Sequence, residues 1–102
     1  MTRSAAPRFP ALARAFSGYL HEDFAAAYGS PEKALHAFRD DASPAEWRRV
    51  QREAKRLAAI AREGDFDEVC ALMQRLGSRW LPPSREALVA LLTGVSEARM
   101  PS

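Results

Sequence analysis

The sequence predicts an all-α protein, a compact single-domain bundle of about five helices. Three observations predict it. Alanine, arginine and leucine dominate while Ile, Val and Thr are scarce, and pleated surfaces select the β-branched residues that are missing. Apolar residues recur at three- and four-residue spacing, and no segment alternates convincingly with period two. Proline, serine and glycine fall where helices start and stop. With 102 residues there is room for one core only. A 47% hydrophobic and 27% charged composition is that of a folded chain, not a disordered one. The expected organisation is a flexible N-terminus at 1–8, a helical domain at 9–98 and a short tail at 99–102.

The first helix reads from about Pro10 to Leu20, with Phe9, Leu12, Phe16, Tyr19 and Leu20 at helical spacing. Pro10 suits a first-turn position, where its missing N–H is not needed. A short Ala-Ala-Ala-Tyr run ends at Gly29. Ser30-Pro31-Glu32 then opens a second helix through Leu35 and Phe38 to about Asp41. Ser43 and Glu46 have the spacing of a capping box, and they open the longest helix, roughly 44–63. One stripe of that helix is apolar (Trp47, Val50, Ala54, Leu57, Ala58, Ala61), and Gly64 is expected to end it in a left-handed conformation. Asp65 and Glu68 start a fourth helix through Val69, Cys70, Met73 and Leu76, and Gly77 stops it. Trp80-Leu81-Pro82-Pro83 is expected to be extended, since a residue before proline avoids the α region. Ser84 caps a last helix carrying Leu88, Leu91, Leu92 and Val95.

Several function classes recede at this level. Cys70 is the only cysteine, so no internal disulfide forms, and it reads as a small buried hydrophobe. Met1–Pro10 has arginines but no apolar run to serve as a signal peptide. No stretch approaches the ~20 apolar residues of a membrane span. A cytoplasmic protein with no membrane association is expected. His21, Asp23, His36 and Asp40 could in principle hold a metal or supply an acid and a base, but their spacing matches no zinc or two-metal signature. No glycine-rich phosphate loop accompanies them. The expectation is no enzyme, no metal and no cofactor, with His21 bonding the end of the first helix and His36 on the surface.

The net charge of +2 conceals segments of opposite sign. Residues 1–18 carry Arg3, Arg8 and Arg14 and no acid, whereas residues 19–46 carry −4 through Glu22, Asp23, Glu32, Asp40, Asp41 and Glu46 against Lys33 and Arg39. The long helix is basic, with Arg48, Arg49, Arg52, Lys55 and Arg56. Such a row can neutralise phosphates, so a small helical nucleic-acid-binding regulator is the alternative reading. Glu46, Glu53 and Glu63 are interleaved, however, and Glu53 is spaced to pair with Arg49 and Arg56, which favours a solvated, self-paired face. Asp40 and Asp41 end a helix where acids oppose the macrodipole, so local stability supplies no reason for them. A positively charged partner would.

The order of motifs carries a resemblance. Phe9-Pro10-Ala11-Leu12, then Tyr19-Leu20-His21-Glu22-Asp23-Phe24, then Gly29-Ser30-Pro31-Glu32-Lys33-Ala34 resembles the opening of the CdiI-type immunity proteins of contact-dependent growth inhibition systems. The similarity covers about residues 8–95. One departure is the last helix, which starts Arg85-Glu86-Ala87-Leu88 where the family often has a tryptophan. The resemblance implies a cytoplasmic protein that binds, in a 1:1 complex, the C-terminal toxin domain delivered by neighbouring cells. Such toxins are commonly nucleases, including tRNA-cleaving ones, and their basic clefts would be covered by carboxylates. No direct contact with nucleic acid is implied. The candidate toxin contacts are Glu22, Asp23, Glu32, His36, Asp40 and Asp41, with Asp40 and Asp41 favoured over His21. The motif residues Tyr19, His21, Asp23 and Phe24 are expected to be structural, Tyr19 and Phe24 in the core.

Overall fold

In the computed structural model, residues 8–98 are described. Arg3 and the tail at 99–102 lie outside the described residues, as does the N-terminus before Arg8. Within them the chain forms α1 (Pro10–Tyr19), α2 (Phe24–Tyr28), α3 (Pro31–Asp41), α4 (Pro44–Glu63), α5 (Phe66–Arg75) and α6 (Arg85–Glu97), with no strand. The sixth helix beyond the expected five is α2. Its Phe-Ala-Ala-Ala-Tyr sequence is too short to show a period, but alanine is the best helix former. Gly29 stops it at a φ of +93°.

Four helices start on a side-chain oxygen that accepts a backbone N–H three residues on: Ser30 from Lys33, Ser43 from Glu46, Asp65 from Glu68 and Ser84 from Ala87. Each satisfies one of the orphan donors of a first turn. For Ser43–Glu46 only this half of the capping box is made among the described bonds. Gly64 departs from expectation. Its φ of −82° is ordinary, and what demands glycine is space, because a Cβ there would lie 2.8 Å from the Ile60 carbonyl oxygen. Gly77 does take the left-handed conformation, at φ +99°, and a Cβ would also meet Ser17 Cβ at 2.8 Å. That close approach brings the end of α5 against α1.

The apolar stripe of α4 is buried at every position named from the sequence, from Trp47 to Ala61. It packs most extensively on α6, and also on α1 and α5. Trp47 is fully buried in the same core cluster as Phe16, Leu12, Leu35 and Leu92. Its indole N–H donates to the Ala98 carbonyl at 3.2 Å, while Gln51 donates to the Val95 carbonyl at 3.2 Å. These bonds pin the end of α6 to the first turns of α4. Cys70 is half-buried rather than fully enclosed. Tyr19 and Phe24 are also half-buried and pack against the core rather than inside it.

Candidate functional site

The acidic segment runs through the α1–α2 turn and along α3, and the structure gives its members different surroundings. At the end of α1, the Tyr19 hydroxyl donates to the Asp41 carboxylate. The bond to Asp41, followed by burial, pushes the Tyr19 phenol up to about 12. Tyr19 stacks on Tyr28 with ring centroids 5.8 Å apart and meets Phe38 edge-on at 5.4 Å. Asp41 therefore has the structural reason that helix-end electrostatics denied it, since it ties α3 to the end of α1. His21 accepts the Asp23 N–H on Nδ1 at 3.1 Å and lies beside Tyr28, closing the turn. That bond reaches into the turn, whereas the last carbonyls of α1 are met by backbone donors. The Phe16 carbonyl accepts from Leu20, and the Leu20 carbonyl from Arg79 at 2.8 Å.

Glu22 and Asp23 are exposed and line an open cleft of about 550 Å³ with Ser17, His21, Gln74 and Arg79. The cleft exists because Gly77 lets the chain after α5 run against α1. On α3, the buried residues Ala34, Leu35 and Phe38 face the core. Glu32, His36 and Asp40, each four residues apart, form a stripe on the opposite side, and all three are exposed. Asp40 takes the Arg39 Nε–H at 3.3 Å, the one ion pair among the described residues. His36 and Asp40 share a face without a hydrogen bond between them among the described bonds. No three of His21, Asp23, His36 and Asp40 come together as a ligand set, nor do any other three His, Cys, Asp or Glu among the described residues.

Glu53 corrects the reading of α4. It is 7% exposed and pairs with neither Arg49 nor Arg56. Its carboxylate crosses to α1 and accepts the backbone N–H of Ala11 at 3.2 Å and of Leu12 at 2.9 Å. Phe9, at the N-cap of α1, offers no side-chain bond, so Glu53 supplies from another helix what the local sequence lacks. A carboxylate there also meets the positive end of the helix. Arg48, Arg49, Arg52 and Lys55 remain exposed without an acidic partner among the described residues. Sequence reasoning missed Glu53, Gln74 and Arg79 in these roles. Their contacts are made across distant parts of the chain, and no local pattern announces them.

No helix among the described residues is long and apolar enough to cross a membrane. A family model described as CdiI immunity protein matches residues 8–97. No curated protein and no solved structure matches.

Proposed function

The chain belongs to the CdiI immunity protein family, and from that premise we propose that it neutralises a basic, RNA-cleaving toxin domain in a 1:1 cytoplasmic complex. It acts by occupying the toxin's cleft, without catalytic turnover of its own. The supporting observation is the exposed stripe of Glu32, His36 and Asp40 on α3, with its two carboxylates, accompanied by Glu22 and Asp23 at the cleft; Asp41, bonded to Tyr19, lies off that stripe. A nuclease must attract a polyanion, so carboxylates presented to its cleft compete with phosphate for the same cations. The stripe projects from a helix fixed by Leu35 and Phe38, and a rigid display loses little freedom on binding. Tyr19, His21 and Phe24 hold the α1–α2 turn from which Glu22 and Asp23 project.

Co-expression with the toxin domain encoded beside this chain tests the reading. Survival is expected, and continued killing despite folded immunity protein would overturn it. Glu32→Lys combined with Asp40→Lys tests the surface. Asp41 is left intact because reversing it would also break the Tyr19 bond. At low salt, association should slow by about ten-fold or more, the scale of electrostatic steering. An unchanged association rate rejects the α3 stripe as the contact.

A further inference from the structure

We propose that the exposed basic face of α4 is a second binding surface, for single-stranded nucleic acid. Of the three interleaved acids behind the expectation of a self-neutralised face, Glu53 was the one spaced to pair with the arginines. With that carboxylate turned inward to α1, Arg48, Arg49, Arg52 and Lys55 stand on successive turns with no acid between them on the exposed face, and Glu63 follows only at the end of the helix, one turn beyond Ala59. Four like charges on one helix repel one another, and a polyanion relieves that repulsion.

The shape of the surface favours a strand with unstacked bases over an acidic peptide. Arg52, Lys55, Arg56 and Ala59 bound a shallow depression of about 510 Å³. Its floor is the Ala59 methyl and the aliphatic stems, and its rim is cationic. A carboxylate has no use for an apolar floor, whereas a base offers a flat face to stack on guanidinium or alkyl surface while its phosphates meet the rim. One wall is held in place. The Arg56 guanidinium donates to the Arg8 carbonyl at 2.9 Å and lies 5.1 Å from the Phe9 ring centroid. The surface has the spacing of neither a recognition helix nor a groove reader, so readout of base identity is not expected. This inference does not rest on toxin neutralisation, and the two fail separately.

Fluorescence anisotropy of a labelled oligo-uridine strand, with the matching oligo-thymidine strand as a parallel arm, tests it on the full chain. If Arg48, Arg49, Arg52 and Lys55 each meet a phosphate while Arg56 stays bonded to the Arg8 carbonyl, the logarithm of affinity falls with the logarithm of salt at a slope of about −2.8. Between 50 and 200 mM salt the affinity then drops about fifty-fold. Replacing three of the four (Arg48→Gln, Arg52→Gln, Lys55→Gln) should flatten the slope to about −0.7. Ala59→Glu, which puts a carboxylate on the floor, should abolish binding at either salt. Binding of both strands, or of RNA alone, supports the proposal; the second result adds a contact to the 2′-hydroxyl. No binding at 50 mM salt, or a triple variant with the wild-type slope, overturns it. So does displacement by poly-glutamate as effective as that by unlabelled strand at equal charge. The slope of the unmodified protein is a test in itself, whatever becomes of the variants.

Discussion

Replacing Glu53 with alanine removes the acceptor of two backbone N–H groups, those of Ala11 and Leu12, at the start of α1. Both bonds are buried, so each stranded N–H costs about 1–3 kcal/mol. Loss of the negative charge at the positive end of the helix adds roughly 0.3–1 kcal/mol. Partial entry of water relieves some of this, and a net loss of about 3–4 kcal/mol is expected, a large share of the stability of a small domain. A surface Glu53 pairing with Arg49 would instead contribute only about 0.3–0.5 kcal/mol, screened by salt. Urea unfolding followed by far-UV circular dichroism separates the two cases. With a slope of about 1–1.5 kcal/mol per molar, the midpoint should fall by about 2–4 M. Glu53→Gln keeps one acceptor oxygen and should lose about half as much, so a measurable variant remains if Glu53→Ala does not fold. A loss under about 1 kcal/mol for Glu53→Ala, or one matched by Arg49→Ala, would refute the tie between α4 and α1.

Other outcomes follow from single contacts. In a Tyr28→Phe background the remaining tyrosine should ionise near pH 12 by ultraviolet absorbance, and Asp41→Asn should bring that midpoint down. An unmoved midpoint would separate Tyr19 from Asp41. The linkage has a definite sign: the raised phenol contributes stability that is complete below pH 10 and is lost as pH rises towards 12. Gly77→Ala should destabilise by about 2–4 kcal/mol, combining a left-handed backbone with the Ser17 clash. Gly94→Ala, with nothing within 4 Å of the added methyl, should stabilise α6 by about 0.5–1 kcal/mol. A denaturation midpoint that moves the same way for both would contradict this geometry. Burial, helped by Asp67, pushes the Cys70 thiol up. At pH 8 it should react with a disulfide reagent more slowly than free cysteine, and faster after Asp67→Asn.

Much of the fold is legible residue by residue. The Ser30, Ser43, Asp65 and Ser84 caps form at the positions their spacing announces, because capping is a contact within one turn. The α4 stripe is buried as its period requires. A five-residue helix such as α2 has too few positions to declare a period, and Gly64 was legible as a stop but not as a steric one. The Tyr-x-His-x-Asp-Phe run was legible as a motif, and family membership with it, since identity and order of residues are one-dimensional.

The candidate site was legible only in composition. Residue order is enough for an all-helical chain, an acidic stretch at 19–46 and a basic helix. Tertiary structure alone decided which charges are free to meet a partner. Asp41 is held by Tyr19, 22 residues away, while Glu53 is drawn into α1 across 41 and 42 residues. The reason is physical: helix periodicity and caps act over three or four residues. A buried carboxylate must instead find its donors wherever packing brings them, and no local pattern encodes that place.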